Sequence, residues 1–417
     1  MADVETVTVG QAGRLGLVLR TRRAVRGRVE GLPAPFWWLW VGTLVNRAGT
    51  FIEPFIILYL TGPQHLSVAT AGTVVTIWGA GSVISQPIGG YLTDRVGRRF
   101  ALSLGMFAVA AALGLLAVAR GVPQIAGAAL LVGIVGDIYR PAASAAIADL
   151  LEGERRTRAF ALQFWAINLG FSVCAVSAGL LVRFGFGTLF AIDAATSLIF
   201  GLVVLRKVPE TRPASAQHET AEPAWRLMLR DHVLIAVAIL CLCYATLYSQ
   251  VYVTLPLAVR DAGLSTSSYG LIMAVNGIVI VILQPVLLPV ISRTPRIVLL
   301  PSTLLLVGGG IALSAVCNTT WAFALTVVAW TLGEIGQTTS LFALVADIAP
   351  EAMRGRYIGA VGIAWGASGV LAPFAGANVY AASPGALWLG ALALSGVGAA
   401  GHIALMTHLR RAKRVPE

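Results

Sequence analysis

Five ionisable side chains, Arg47, Glu53, Asp137, Arg140 and Glu334, stand deep inside apolar runs about twenty or more residues long. A charge in such a place is costly unless it is paired or faces water, so each marks chemistry rather than surface. Carboxyl groups there can take up and release protons or neutralise a cation, and guanidinium groups can hold an acid or an anion. Their polar neighbours recur at helical spacing. Asn46, Thr50 and Glu53 fall at i, i+4 and i+7; Asp137, Arg140 and Ser144 fall at i, i+3 and i+7. Trp330, Glu334 and Gln337 repeat the first pattern, and Tyr244, Tyr248 and Tyr252, with Gln250 nearby, make an aromatic stripe.

Asp137 and Arg140 are three apart and predict a local ion pair. Two readings stand: a neutralised pair that fixes helix packing, or a switch in which a proton on Asp137 frees Arg140. Arg47 and Glu53, six apart on one helix, sit roughly 240° around it and predict different partners. Pro54 follows Glu53 and predicts a kink beside that acid. Glu53 and Glu334 have no obvious cation nearby in sequence. That makes Glu53 the leading candidate for proton or cation exchange, followed by Glu334 and Asp137.

The elements that must position these groups are membrane-spanning helices. Of 417 residues, 57% are hydrophobic and 12% charged, against about 25% charged in soluble domains. Twelve apolar runs are predicted, at 36–60, 68–92, 100–119, 124–149, 159–182, 186–205, 233–257, 269–291, 297–317, 320–346, 357–381 and 385–408. Arginines and lysines concentrate in the tails and alternate loops, leaving Arg120, Arg183 and Arg260 in the others. This asymmetry predicts a multi-pass protein of the cytoplasmic (inner) membrane with both termini cytoplasmic. The reading is a basic tail at 1–35, six spans over 36–205, a Pro-rich linker at 206–231, six spans over 232–409 and a tail at 410–417. No cleavable signal is read at the N-terminus.

At a constant offset of 198 the halves match at span ends: Gly79 with Gly277, Gln86-Pro87 with Gln284-Pro285, Arg98 with Arg296, and Ala148-Asp149 with Ala346-Asp347. Two six-span halves related in this way are parallel repeats. The net charge of +11 is a topology signal, since only Lys207 and Lys413 are lysines and no nucleic-acid motif is present. The basic tails suit anionic lipid headgroups. Cys174, Cys241, Cys243 and Cys317 lie in apolar runs without metal-ligand spacing and are read as packing residues.

The turn Gly90-Tyr91-Leu92-Thr93-Asp94-Arg95-Val96-Gly97-Arg98-Arg99 resembles the loop between helices two and three of the major facilitator superfamily: Gly, any, Leu, small, Asp, Arg, any, Gly, Arg, Arg or Lys. Gly90 and Gly97 predict close approach and an abrupt bend. The counterpart Ser292-Arg293-Thr294-Pro295-Arg296 keeps two arginines and lacks the acid. The resemblance implies an all-α integral membrane fold, twelve helices in two pseudo-symmetric six-helix bundles, with helices one, four, seven and ten around a central cavity. It implies that Asp94, with Arg95, Arg98 and Arg99, braces the first bundle against helix eleven when the cavity opens outward. Asp149, Arg156, Arg158, Asp347, Arg354 and Arg356 resemble gate-side loops.

The chain is most like twelve-helix drug:proton antiporters, with two departures. Cys174-Ala175 stands where those exporters carry Gly-Pro in helix five, and Ala129 replaces an arginine early in helix four. The resemblance implies a small-molecule transporter working by alternating access, driven by a proton gradient, without cofactor, metal, nucleic-acid partner or enzymatic activity, and monomeric. Efflux of lipophilic or cationic compounds suits the acids and Tyr244, Tyr248, Trp330 and Trp365; Arg47 and Arg140 leave room for anions. A symporter or facilitator of a metabolite, a passive channel and a transporter-like sensor remain open. An ATP-driven pump is not expected, because neither lysine ends a phosphate-cradling loop. Neither is a membrane enzyme, because the five histidines are scattered.

Overall fold

The computed structural model describes residues 31–212, 231–348 and 354–411. The basic N-terminal tail, most of the linker and the last residues lie outside it, and with them their expected headgroup contacts. Twelve helical spans follow in order: Ala34–Thr61, Val68–Val96, Arg98–Val118, Gly121–Leu150, Gly153–Leu181, Phe186–Lys207, His232–Asp261, Thr266–Arg293, Arg296–Val316, Thr320–Ile348, Arg354–Ala382 and Pro384–Arg411. Ten segments are long and apolar enough to cross a bilayer by length and composition. The tenth and eleventh spans, 29 residues each, adjoin the undescribed stretch 349–353. Large apolar side chains such as Val286, Leu325, Leu389 and Val397 point outward, as a lipid-facing surface requires.

Three spans are interrupted. The first stops at Gly49 and resumes at Ile52, the fourth stops at Gly136 and resumes at Tyr139, and the seventh breaks at Thr254. Each break lies two to four residues before a proline: Pro54, Pro141 and Pro256. A proline has no N–H for the carbonyl four residues back and crowds it as well. In the first span that carbonyl is Thr50 O, and the Cys174 thiol donates to it at 3.2 Å. Pro87, Pro285, Pro289, Pro301 and Pro373 sit in helices that stay continuous.

The internal repeat is carried in specific bonds. Ser67 caps the second span by accepting from Thr70 N at 3.1 Å, and Ser265, 198 residues on, caps the eighth by accepting from Ser268 N at 3.1 Å. Arg98 pairs with Asp149 at 2.9 Å, and their counterparts Arg296 and Asp347 pair at 2.6 Å. Between the halves, span two packs on span eleven and span five on span eight. A Cβ on Gly79 would lie 1.9 Å from Gly369 O, and one on Gly277 would lie 2.0 Å from Ser172 Oγ. Only glycine permits backbones this close.

Among the described residues, the apolar core that joins the halves lies on one side only. Away from the termini a single core crosses both: the Phe55 and Tyr269 rings meet at 5.2 Å, and Leu60, Leu247, Ile272 and Val307 belong to it. On the terminal side two cores stand apart, one around Phe36, Leu102 and Val204 and one around Leu234, Leu341 and Tyr357.

Candidate functional site

Where the halves part, two adjoining cavities of about 190 and 90 Å³ share Arg47, Thr50 and Glu53 as common wall. The larger lies between the halves and reaches Tyr248, Tyr252, Asn276 and Glu334 of the second. The smaller runs into the first half past Asp137, Tyr139, Arg140 and Asp193. Spans one, four, seven and ten all contribute. The Glu334 carboxylate is held by a neutral donor, Asn276 Nδ2 at 2.7 Å, and shares the cavity wall with Tyr248. Around it Tyr248 makes edge contacts with Tyr252, Trp330 and Trp365 at 5.8–6.0 Å, and Phe171 of the first half meets Tyr252 at 6.2 Å.

In the first half four of the chamber's charges pair off. Arg140 Nε bonds Asp137 Oδ1 at 2.6 Å, the local pair expected from their spacing. Arg47 lies 4.0 Å from Glu53, donates to the Tyr139 hydroxyl and sits 5.6 Å from that ring's centre. This corrects the expectation of different partners for Arg47 and Glu53, and of a Glu53 without a cation. The 240° separation assumes a continuous helix, and the break at Thr50–Phe51 turns the two faces together. Glu53 is 61% exposed to the chamber.

Asp193 of span six is an acid that the reading of the sequence passed over. It is 3% exposed, and Oδ2 accepts from Ile52 N at 3.2 Å, capping the second piece of span one. One turn on, Ser197 accepts from Asn46 Nδ2 at 3.0 Å. Thr196 presses on Gly49, whose hypothetical Cβ would be 2.4 Å from Thr196 Oγ1. The signal was available: Asp193, Thr196 and Ser197 form a polar stripe at i, i+3 and i+4 in the run 186–205.

At the terminal side Gly97 takes φ +104° to turn span two into span three. Arg98 is buried and joins Asp149, Thr93 O at 3.2 Å and Asp94 at 3.7 Å. Arg95 reaches the Tyr91 ring and hydroxyl, and Arg99 donates to Leu205 O. The Glu210 carboxylate accepts from Arg98 N at 2.8 Å and Arg99 N at 3.2 Å, an anion at a helix N-terminus. Gly90 has nothing within 4 Å of a hypothetical Cβ; the close approach belongs to Gly89, against Ile138 O at 2.6 Å.

A family model described as the Major Facilitator Superfamily matches residues 39–373. The chain belongs to the Major Facilitator Superfamily. Its relatives include the MFS-type transporter YqjV of Bacillus subtilis, 26% identical over 343 residues, covering 78% of this chain and 82% of that one. A Na(+), Li(+), K(+)/H(+) antiporter of Planococcus maritimus is 23% identical over 364 residues, covering 79% and 85%. Among solved structures, a peptide transporter POT in complex with sulfate superposes with a TM-score of 0.75 at 16% identity, covering 92% of this chain and 96% of that one. This superfamily member is a membrane transporter of small molecules, uses no cofactor and is not an enzyme.

The brace that the resemblance implied runs to the start of span eleven, where the side chains of 349–356 lie outside the described residues. Asp94 is 66% exposed and, among the described residues, pairs only within its own turn. Of the gate residues, Asp149 and Asp347 tie loops within their own halves, and Arg156 Nε holds Leu151 O at 2.8 Å. Arg158 lies half-buried early in span five; the side chains of Arg354 and Arg356 are outside the described residues. Tyr244, Trp330 and Trp365 back Tyr248 rather than line the cavities. Gln337 turns the other way. Fully buried, it accepts from Thr303 Oγ1 at 2.8 Å and meets His402 Nε2 at 3.3 Å.

Proposed function

We propose that this facilitator is a proton-coupled antiporter that exports lipophilic cations by alternating access. Glu334 is the group for which proton and substrate compete, and Glu53 and Asp137 are the further exchangeable acids. One observation carries the reading: in the two cavities Arg47 pairs with Glu53 and Arg140 with Asp137, while the second-half carboxylate Glu334 is met by the neutral Asn276 amide inside an aromatic wall. A cation entering there gains both a carboxylate and ring faces. A proton on Glu334 removes the first of these. The antiporter relative from Planococcus maritimus supports exchange against protons. It also favours a second reading, in which an alkali cation takes the place of the organic one.

The lysine and arginine pattern supports termini on the cytoplasmic side of the inner membrane and a cytoplasmic linker at 206–231. The closed side then faces outward and the parted side inward, the state in which cytoplasmic substrate is loaded.

Purified protein in proteoliposomes, with tetraphenylphosphonium as probe, tests the proposal. Affinity should fall as pH falls, and Glu334→Gln should abolish that pH dependence and cut proton-driven exchange about tenfold or more. Affinity that rises on acidification points to symport and overturns the reading. So does a Glu334→Gln protein that keeps its pH response. Sodium and potassium in the same assay decide the second reading.

A further inference from the structure

We infer that Asp193 is a proton-binding positioning residue of the transport cycle, holding span one broken while ionised and releasing it when protonated. The inference deepens the proton-coupling reading and rests on it. Three contacts from one turn of span six bear on the break: Asp193 on Ile52 N, Thr196 against Gly49, and Ser197 on Asn46. Two of these are neutral and fixed. Asp193 alone can change charge.

A carboxylate is a strong cap because the first N–H groups of a helix carry partial positive charge. A neutral carboxyl group is a weaker one. The piece it caps, Ile52–Thr61, carries Glu53 at its second residue and Phe55, which packs on Tyr269 across the closed side. Loosening the cap therefore acts on the chamber acid and on the inter-half contact together. The break also governs whether Arg47 and Glu53 meet.

The smaller cavity gives the proton its route, since Asp193 lines it along with Glu53. The groups facing Asp193 are Arg47 and Glu53 from span one and the Cys174 thiol from span five. Asp137, Tyr139 and Arg140 face it from span four across the cavity. Spans two and three present Trp78, Met106, Val109 and Leu113, which carry no charge. The proton that binds displaces no other group: it adds to Oδ1 or Oδ2, and the same O–H bond breaks on release.

Hydrogen–deuterium exchange of the native protein in detergent tests this without a substrate. After correction for intrinsic rates, the amides of 51–58 should exchange several-fold faster on acidification. In Asp193→Asn, and in Asp193→Ser, which keeps a capping oxygen, the protection should no longer follow pH. Ser197→Ala loses a bond and keeps the acid, so its pH response should persist. Proton-driven efflux of tetraphenylphosphonium should fall about tenfold in Asp193→Asn, while counterflow without a proton gradient changes less than about threefold. Protection that tracks pH in both Asp193 variants as in the native chain overturns the inference, as does native proton-driven efflux in Asp193→Asn. Should the native chain move no cation at all, the antiport reading falls while the exchange data still decide the role of Asp193.

Discussion

Arg47 and Glu53 meet because the helix between them stops, and Gly49 is where it can. Adding one methyl group there sets a Cβ against the Thr196 hydroxyl at 2.4 Å. Gly49→Ala should cost about 1–3 kcal/mol through crowding, seen as a lower midpoint of thermal unfolding in detergent. Thr196→Ala in the same chain should recover part of it. At this scale the sequence was partly legible. Spacing alone placed Asp137 with Arg140, because a pair within one turn needs no tertiary knowledge. Spacing failed for Arg47 and Glu53 because it presumes an unbroken helix, and for Gln337, whose turn of helix faces Thr303 and His402 of its own bundle. Asp193 was missed because its work is done from span six, on the backbone of another span.

Proline decides the shape of the elements, but only with its neighbours' consent. Pro54, Pro141 and Pro256 each sit just beyond a break, whereas five other prolines lie in continuous helix. In the first span the orphaned groups have takers, the Cys174 thiol for Thr50 O and Asp193 for Ile52 N, and at the break in the fourth Ser85 Oγ accepts from Asp137 N at 3.0 Å. Composition shows the proline, and tertiary contacts supply the takers, so the kink near Glu53 was legible and its place was not. Pro54→Ala restores a donor for Thr50 O and relieves part of the roughly 3 kcal/mol that an interior proline costs a helix. The variant should unfold at higher temperature and transport more slowly, because Glu53 is carried away from Arg47. A calorimetric scan beside an exchange assay would check both halves of that statement.

The whole molecule is two similar halves closed at one end. That much was readable from the offset of 198, because the matches fell on loop arginines and close-packed glycines, where geometry restricts the choice of residue. Which end is closed was not readable, since the same contacts serve every state in turn. Gly79→Leu should force spans two and eleven apart, because the obstacle is the Gly369 backbone and cannot turn aside. Cys174, buried in the core that crosses both halves, should then react several-fold faster with a maleimide that cannot cross the membrane, read by peptide mass spectrometry. Gly90→Ala, with open space around it, should leave the rate unchanged.

The stretch leaving span six has a further consequence. Glu210 caps span three, Thr211 Oγ1 meets Asp149 at 3.3 Å, and Arg212 donates to Arg95 O at 2.8 Å. These three residues are thus property of the first half, although they sit at the start of the connection. Severing the chain just after Arg212 would leave these three ties with the first half. Two separately synthesised polypeptides, meeting in the bilayer through their glycine faces, could then rebuild the transporter without a covalent link between them.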